Sequence, residues 1–394
     1  MESDFGWLLW ALPLVFALGW LASRLDLRQL RLENRQAPKA YFRGLNFLLN
    51  EQQDQAIDAF IEAVRNDPDT SELHFALGNL FRRRGEYERA VRVHEHLLSR
   101  GDLSRADRDR AQHALALDFL KAGLLDRAED ALRKLEGTAH EEQALLALLA
   151  IYERTRDWTQ ACTTARKLQA GGHGDFQGRL AHYLCEQAVP AAADQAQALL
   201  EEAQRVAPLA PRPSLDLANL HQRRGDPEAA FACLSALADT APQAIGLIAR
   251  PLAESARACG QIERARTLLR ASFESSPSLD VVDALAQLET DPHASRHWYA
   301  RHLEREPSLV AAAHWVQAQP GQAQTPQVAP GLTDPSPLGD AALRPHLQRA
   351  LDHAARPLMR YRCAACGFES NRHFWQCPGC QAWDSYPARR VEEL

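Results

Sequence analysis

The chain has 394 residues, 46% of them hydrophobic, and carries a formal net charge of −6. That is ample apolar material for a large or extended core. The acidic balance argues against a nucleic-acid partner, because phosphate affinity rests on a dense basic surface.

Between Asp4 and Arg24 the run FGWLLWALPLVFALGWLAS holds no charge. Its 19 residues would span about 28 Å as a helix, against a hydrocarbon core of about 30 Å. Trp7, Trp10 and Trp20 stand towards the two ends, where amphipathic rings favour the headgroup layer, and Pro13 is tolerated in a membrane helix. A cleaved signal peptide needs a basic start and a small-residue cleavage site, whereas this chain begins MESD and the run ends in Ala22 and Ser23 before arginine. Residues 1–23 are therefore read as a transmembrane anchor. The following segment, 24–36, is basic: Arg24, Arg28, Arg31 and Arg35, with Lys39 just beyond, outnumber Asp26 and Glu33. The positive-inside rule then puts everything after the span in the cytoplasm.

From 37 to 318 the composition is rich in Ala, Leu, Glu, Gln and Arg, with apolar residues at helical spacing, and the segment reads as all helix. GLNFLLNEQQDQAIDAFIEAVRNDP fits the tetratricopeptide pattern through Gly44, Phe47, Ala56, Phe60, Ala63 and Pro68. LHFALGNLFRRRGEYERAVRVHEHLL fits it through Leu77, Gly78, Phe81, Gly85 and Ala90. Weaker copies keep a turn glycine and a small residue five positions later, at Gly123 and Ala128, Gly225 and Ala230, and Gly260 and Ala265. Tyr152 and Ala161 mark a fourth copy, Ala196, Leu200, Ala203 and Pro208 a degenerate fifth, and Trp298, Tyr299 and Pro307 one or two more. About seven to nine repeats are expected, stacked as a right-handed solenoid with a concave groove that displays first-helix side chains. Asn46, Asn79, Arg82 and Arg83 on early first helices are the candidates for peptide contact there, although a solvated face carries the same residue types.

Residues 319–340 are dense in Pro and Gly and read as a linker. A short helix, about Ala341 to Ala355 within 341–358, leads into a module at 359–394. There Cys363, Cys366, Cys377 and Cys380 stand as C-x2-C-x10-C-x2-C. Each C-x2-C pair can form a knuckle turn that aims two thiolates at one ion, and two knuckles close a tetrahedral shell with no open position. Gly367 permits the turn after the first pair. Zinc is the expected ion, and the same sulfur set accepts iron in expressed protein. His373 lies between the knuckles but is surplus to a four-thiolate shell, which leaves it on the surface or behind the ligands. Tyr361, Phe368, Phe374, Trp375, Trp383 and Tyr386 either fill so small a module or face the repeats. Cys162, Cys185, Cys233 and Cys259 lack paired spacing and read as small hydrophobes, consistent with a reducing compartment.

The membrane span with its basic flank, the repeats, and the terminal C-A-A-C-G to C-P-G-C-Q-A-W module, in that order, resemble the LapB (YciM) family, lipopolysaccharide assembly protein B of Gram-negative bacteria. The resemblance covers essentially the whole chain. It implies a rubredoxin-like module, ligated by the four cysteines named above and docked on the repeats. The ten residues between the cysteine pairs depart from true rubredoxins and put electron transfer in doubt. It further implies a single-pass protein of the inner membrane with a periplasmic N-terminus, acting without catalysis to promote degradation of the LpxC deacetylase by the FtsH protease. A membrane protein, PbgA or YejM, would restrain it. No Walker loop, H-E-x-x-H pair or G-x-S-x-G elbow occurs in the chain. The alternatives are a scaffold that gathers lipopolysaccharide synthesis and export proteins, and a rubredoxin-like electron carrier.

Overall fold

In a computed structural model of the protein, residues 16, 20, 42–66, 70–318 and 340–394 are described. The anchor at 1–23 apart from Phe16 and Trp20, the basic segment 24–36, Pro68 and the linker from 319 to 339 lie outside them. Among the described residues no single helix is long and apolar enough to cross a membrane.

The chain divides into two compact units, Met1–Asp157 and Trp158–Leu394. The first holds α1 (42–49), α2 (Gln53–Asn66), α3 (Ser71–Arg84), α4 (Tyr87–Ser99), α5 (Arg105–Ala122), α6 (Leu125–Arg133) and α7 (Glu141–Thr155). The second holds α8 (Trp158–Ala170), α9 (Gln177–Ala188), α10 (Ala193–Val206), α11 (Pro211–Arg223), α12 (Pro227–Thr240) and α13 (Ile245–Cys259). It continues with α14 (Ile262–Ser275), α15 (Leu279–Leu288), α16 (Pro292–Arg305), α17 (Leu309–Gln317) and α18 (Asp340–Ala355), and ends in the cysteine module. Within each unit successive helices pack on one another as tetratricopeptide-like pairs.

A two-residue turn makes the pairs. Gly85 ends α3 in the left-handed region, φ +84°, where its N–H reaches the carbonyls of Arg82 and Phe81. An L side chain there would cost about 1 kcal/mol. Five residues on, Ala90 is completely buried where α4 crosses α3. Ala128, Ala230 and Ala265 are equally buried at the same offset from their glycines. At the end of α7 no glycine is present, and Arg156 itself takes the left-handed turn, φ +59°, five residues before the buried Ala161.

Larger side chains fill the space that these alanines leave. Ile57, Phe60, Leu77 and Phe81 form one cluster in the first unit. Phe231, Leu234, Ile248, Leu252, Leu269, Phe273 and Leu285 form a longer one in the second. Each such burial contributes about 1.5–3 kcal/mol.

The all-helical expectation holds for the arrays, while the terminal module adds a small antiparallel ladder. β1 (Tyr361–Arg362) pairs with β2 (Glu369–Ser370), with Tyr361 opposite Ser370. A knuckle is a turn between two extended segments, so each needs a strand-like closure at its base.

Candidate metal centre

The two cysteine pairs lie in matching turns. In the first, the Gly367 N–H donates to the Cys363 carbonyl (2.9 Å) and the Cys363 N–H donates to the Phe368 carbonyl (2.9 Å). In the second, Gln381 donates to Cys377 (2.8 Å) and Cys377 donates to Ala382 (2.9 Å), at the same offsets. The pairing Arg362 with Glu369 at the base of one knuckle recurs as the bridge Gln376 with Trp383 at the base of the other. Gly367 has φ +78°, and Gln381 occupies the equivalent position at φ +60°.

These turns bring the four sulfurs within 4.8 Å of one another. Sγ of Cys363 lies 3.8 Å from that of Cys380, and Sγ of Cys366 lies 3.7 Å from that of Cys377. A disulfide would need about 2.05 Å. A tetrahedron with metal–sulfur bonds of about 2.3 Å has edges of about 3.8 Å, so the sulfurs already lie at ligand spacing.

The electrostatics point the same way. Burial raises the Cys363 thiol, but the Ser385 hydroxyl and the amides of Cys366 and Ala365 outweigh it and bring it down to about 6. Cys377 is likewise lowered: burial opposes ionisation, and the amides of Cys380 and Gly379 prevail. The Phe368 amide favours a Cys366 thiolate, yet burial and the three neighbouring sulfurs drive it up to about 12. Negative charges held this close cannot accumulate without a cation among them. Cys363 and Cys377, the first of each pair, are buried, whereas Cys366 and Cys380 are exposed.

His373 stands outside the sulfur set. Its Nε2 faces the Tyr386 carbonyl at 3.1 Å, and its ring meets Trp375 edge-on with centroids 4.8 Å apart. Tyr361 and Tyr386 pack with Cys363, Cys377 and Phe374 against Leu247 of α13.

The module is seated on the helices of its own unit at three places, in keeping with the docking that the resemblance implied and with Trp383 facing the helices. At α9, the ring of His182 stacks on Trp383, centroids 4.7 Å apart and planes 21° apart. Its Nε2 donates to both oxygens of Asp384, each at 2.9 Å. Arg212 makes a long contact of 3.4 Å to His182 Nδ1 and ion-pairs with Glu186 at 2.7 Å, so the imidazole proton belongs on Nε2. At α13, the Ala388 carbonyl lies so close to Gly246 that a Cβ there would stand 2.3 Å from it.

At α15 and α17 the last four residues close two helix N-termini. Glu393 accepts from the Leu279 N–H (2.6 Å), and Glu392 accepts from the Leu309 N–H (2.5 Å) and the Ser308 hydroxyl (2.7 Å). Carboxylates at these ends satisfy orphan amides and meet the positive end of the helix dipole. Arg390 adds a bidentate pair with Asp280 (2.7 and 2.9 Å) while lying 4.1 Å over the Tyr361 ring. Apart from the Arg390–Tyr361 stacking, the contacts join residues more than 80 positions apart. The charged ending ARRVEEL was the available signal.

The proposed peptide-contact residues scatter. Arg82 donates to Asp118 (2.8 Å) and to the Ala114 carbonyl (3.2 Å), and it also bonds Asn79, so these two belong to an inward network with the buried His94. Asn46 is exposed and paired with Asn50, and Arg83 is exposed.

Residues 361–386 match a family described as the rubredoxin metal binding domain, and residues 73–109 match the tetratricopeptide repeat. Over 398 aligned positions, 97% of this chain and 98% of the relative, the sequence is 29% identical to lipopolysaccharide assembly protein B of Escherichia coli strain K12. It is 28% identical to the protein of the same name from Haemophilus influenzae, covering 95% of this chain and 96% of that one. The resemblance read from the motifs thus extends across nearly the whole chain. Among solved structures, a tetratricopeptide repeat protein from Parabacteroides merdae has a TM-score of 0.34 at 14% identity, covering 64% of this chain and 99% of that one. Naa15/Naa10 bound to HypK-THB has a TM-score of 0.46 at 15% identity, covering 73% of this chain and 44% of that one. Both are too distant to say what the chain does.

Proposed function

We propose that this chain, similar from end to end to lipopolysaccharide assembly protein B, is a membrane-anchored, non-catalytic adaptor in lipopolysaccharide assembly that promotes degradation of the LpxC deacetylase by FtsH. The full-length similarity to relatives of that name supports a part in lipopolysaccharide assembly, and degradation of LpxC by FtsH is the way we propose the chain plays it. The architecture supports it. Stacked helix pairs offer client surface, the four-thiolate shell has no open position for a substrate, and an anchor at 1–23 would raise the effective concentration of adaptor and protease in one membrane. The ion is proposed to be zinc, which has no redox chemistry and serves the module as structure. PbgA/YejM would act as the restraining partner.

The test is the half-life of LpxC in the native host before and after depletion of this chain, with FtsH present throughout. A lengthened half-life is expected. An unchanged half-life, with assembly proteins still crosslinking to the repeats, would replace this reading by the scaffold for synthesis and export proteins, which the relatives' name also favours.

A further inference from the structure

Beside α15, α16 and α17 lies an open cavity of about 320 Å³, lined by Asp283, Gln287, Ser295, Tyr299, His314 and Gln317. Its centre is a carboxylate held from one side only. The Tyr299 hydroxyl and His314 Nδ1 both bond Asp283 Oδ1, each at 3.0 Å. Among the described residues Oδ2 receives no hydrogen bond, although the side chain is only 27% exposed. Tyr299 and His314 brace each other edge to face with centroids 5.4 Å apart, so the carboxylate cannot turn its second oxygen inward without losing two donors. Oδ2 is not closed off from solvent, so it is available to a donor that enters the cavity and displaces water there.

The surroundings select the kind of donor. The cavity draws on the last turns of α15 and α17, where carbonyls carry the negative end of the helix dipole. His314 senses Asp352 and Glu392 in addition to Asp283, so the local field stays negative even with its imidazole charged. Arg250 of α13 lies within electrostatic reach, but its Nε is engaged with Glu254 at 2.8 Å and its side chain is 74% exposed. The other lining groups, two amides and a hydroxyl, supply neutral acceptors. An anion would be repelled here, and a purely apolar group would strand the carboxylate.

The geometry points to a recognition site for a cationic side chain, lysine or arginine, of a partner polypeptide, with Asp283 Oδ2 as its acceptor and Tyr299 and His314 as positioning residues. This rests on the adaptor reading and supplies the charge of what the adaptor grips. About 320 Å³ suits one extended basic side chain with its flanking backbone, and an ammonium or guanidinium on a carboxylate is the pairing that matches both charge and donor count.

The experiment uses the full chain, metal-loaded, on an array of random dodecapeptides, followed by titration of the best peptides. Lysine or arginine should be enriched at one position, and Asp283→Asn, which keeps size and shape, should weaken those peptides about tenfold or more. Asp283→Lys should move the enrichment to Asp or Glu. Tyr299→Phe frees the carboxylate to rotate and should cost a smaller factor, with the melting curve of each variant confirming the fold. A flat array, or enrichment untouched by Asp283→Asn, overturns the site. Spermidine binding that depends on Asp283 without any peptide preference also overturns it, in favour of a free polyamine. A flat array together with a changed LpxC half-life defeats the site alone. Asp283-dependent basic preference with an unchanged half-life defeats the adaptor reading and leaves the site standing.

Discussion

In the second unit the helical array buries Leu234, Leu252 and Phe273 almost completely, whereas the module at 359–394 has little in its interior beyond Tyr361, Tyr386 and two of its own cysteines. Each helix pair draws its stability from neighbours a few dozen residues away, so the array is a sum of local contributions. The module cannot be built that way. Its order depends on one ion, held by its own four cysteines, and on a seam with α9, α13, α15 and α17 that it lacks in isolation. Damage to the array should therefore lower its stability by degrees, while damage to the ion site should remove the module outright and leave the helices in place.

The largest effect tests that division directly. Cys363→Ser replaces a buried candidate ligand whose thiolate is favoured by the Ser385 hydroxyl and the neighbouring amides. Structural zinc contributes about 10–16 kcal/mol to small metal-dependent folds. Bound metal should fall to near zero and protease should cleave beyond α18, with helical circular dichroism retained. Stoichiometric metal in that variant would break the comparison. Leu234→Ala is the counterpart on the array side. It removes a side chain that is 1% exposed and should cost about 2–5 kcal/mol. The metal should stay bound until the helices themselves melt.

The seam comes next in size. Arg390→Met leaves Asp280, whose side chain is 15% exposed, without its bidentate partner. Partial exposure brings the loss below that of a fully buried pair, to about 2 kcal/mol. Amide exchange should quicken across residues 386–394 and at the start of α15, with the metal retained. Adding Asp280→Leu should restore part of the loss, because the orphaned charge is then gone. No recovery in the double variant would mean that the arginine acts mainly by packing on Tyr361.

What could be read in advance follows the same division. The cysteine spacing and the glycine–alanine offset are local patterns, and each encodes a turn whose geometry is settled within a few residues, as at Gly85 and Ala90 or Gly367. The seam is different. Glu392, Glu393 and Arg390 find partners 83 to 114 positions earlier, and nothing local in Ser308 or Leu279 foretells a visiting carboxylate. Arg82 shows the same limit from the other side. Its place on a first helix made it a candidate for peptide contact in the groove, and nothing local foretold its bond to Asp118, 36 residues on. Arg156 shows that the left-handed turn can persist where the residue that usually announces it is missing. Apart from Phe16 and Trp20, the transmembrane reading of 1–23 falls on residues outside those described.

The smallest predicted effect separates the two knuckles. Gly367 and Gln381 hold equivalent positions with φ of +78° and +60°, yet only one of them is the residue that bears such a conformation without strain. The Gln381 side chain is exposed, and it is its carbonyl that takes the bond from Gln376, so the side chain adds nothing to offset the strain. Gln381→Gly should therefore stabilise the metal-bound module by about 0.5–1 kcal/mol, while Gly367→Ala should destabilise it by about 1 kcal/mol. Competition with a chromophoric chelator reads both as shifts in metal affinity, the first upward by a small factor and the second downward by a larger one. If Gln381→Gly weakened binding instead, strain in the second knuckle would have to assist metal capture, and the two turns, alike in their hydrogen bonds, would differ in function.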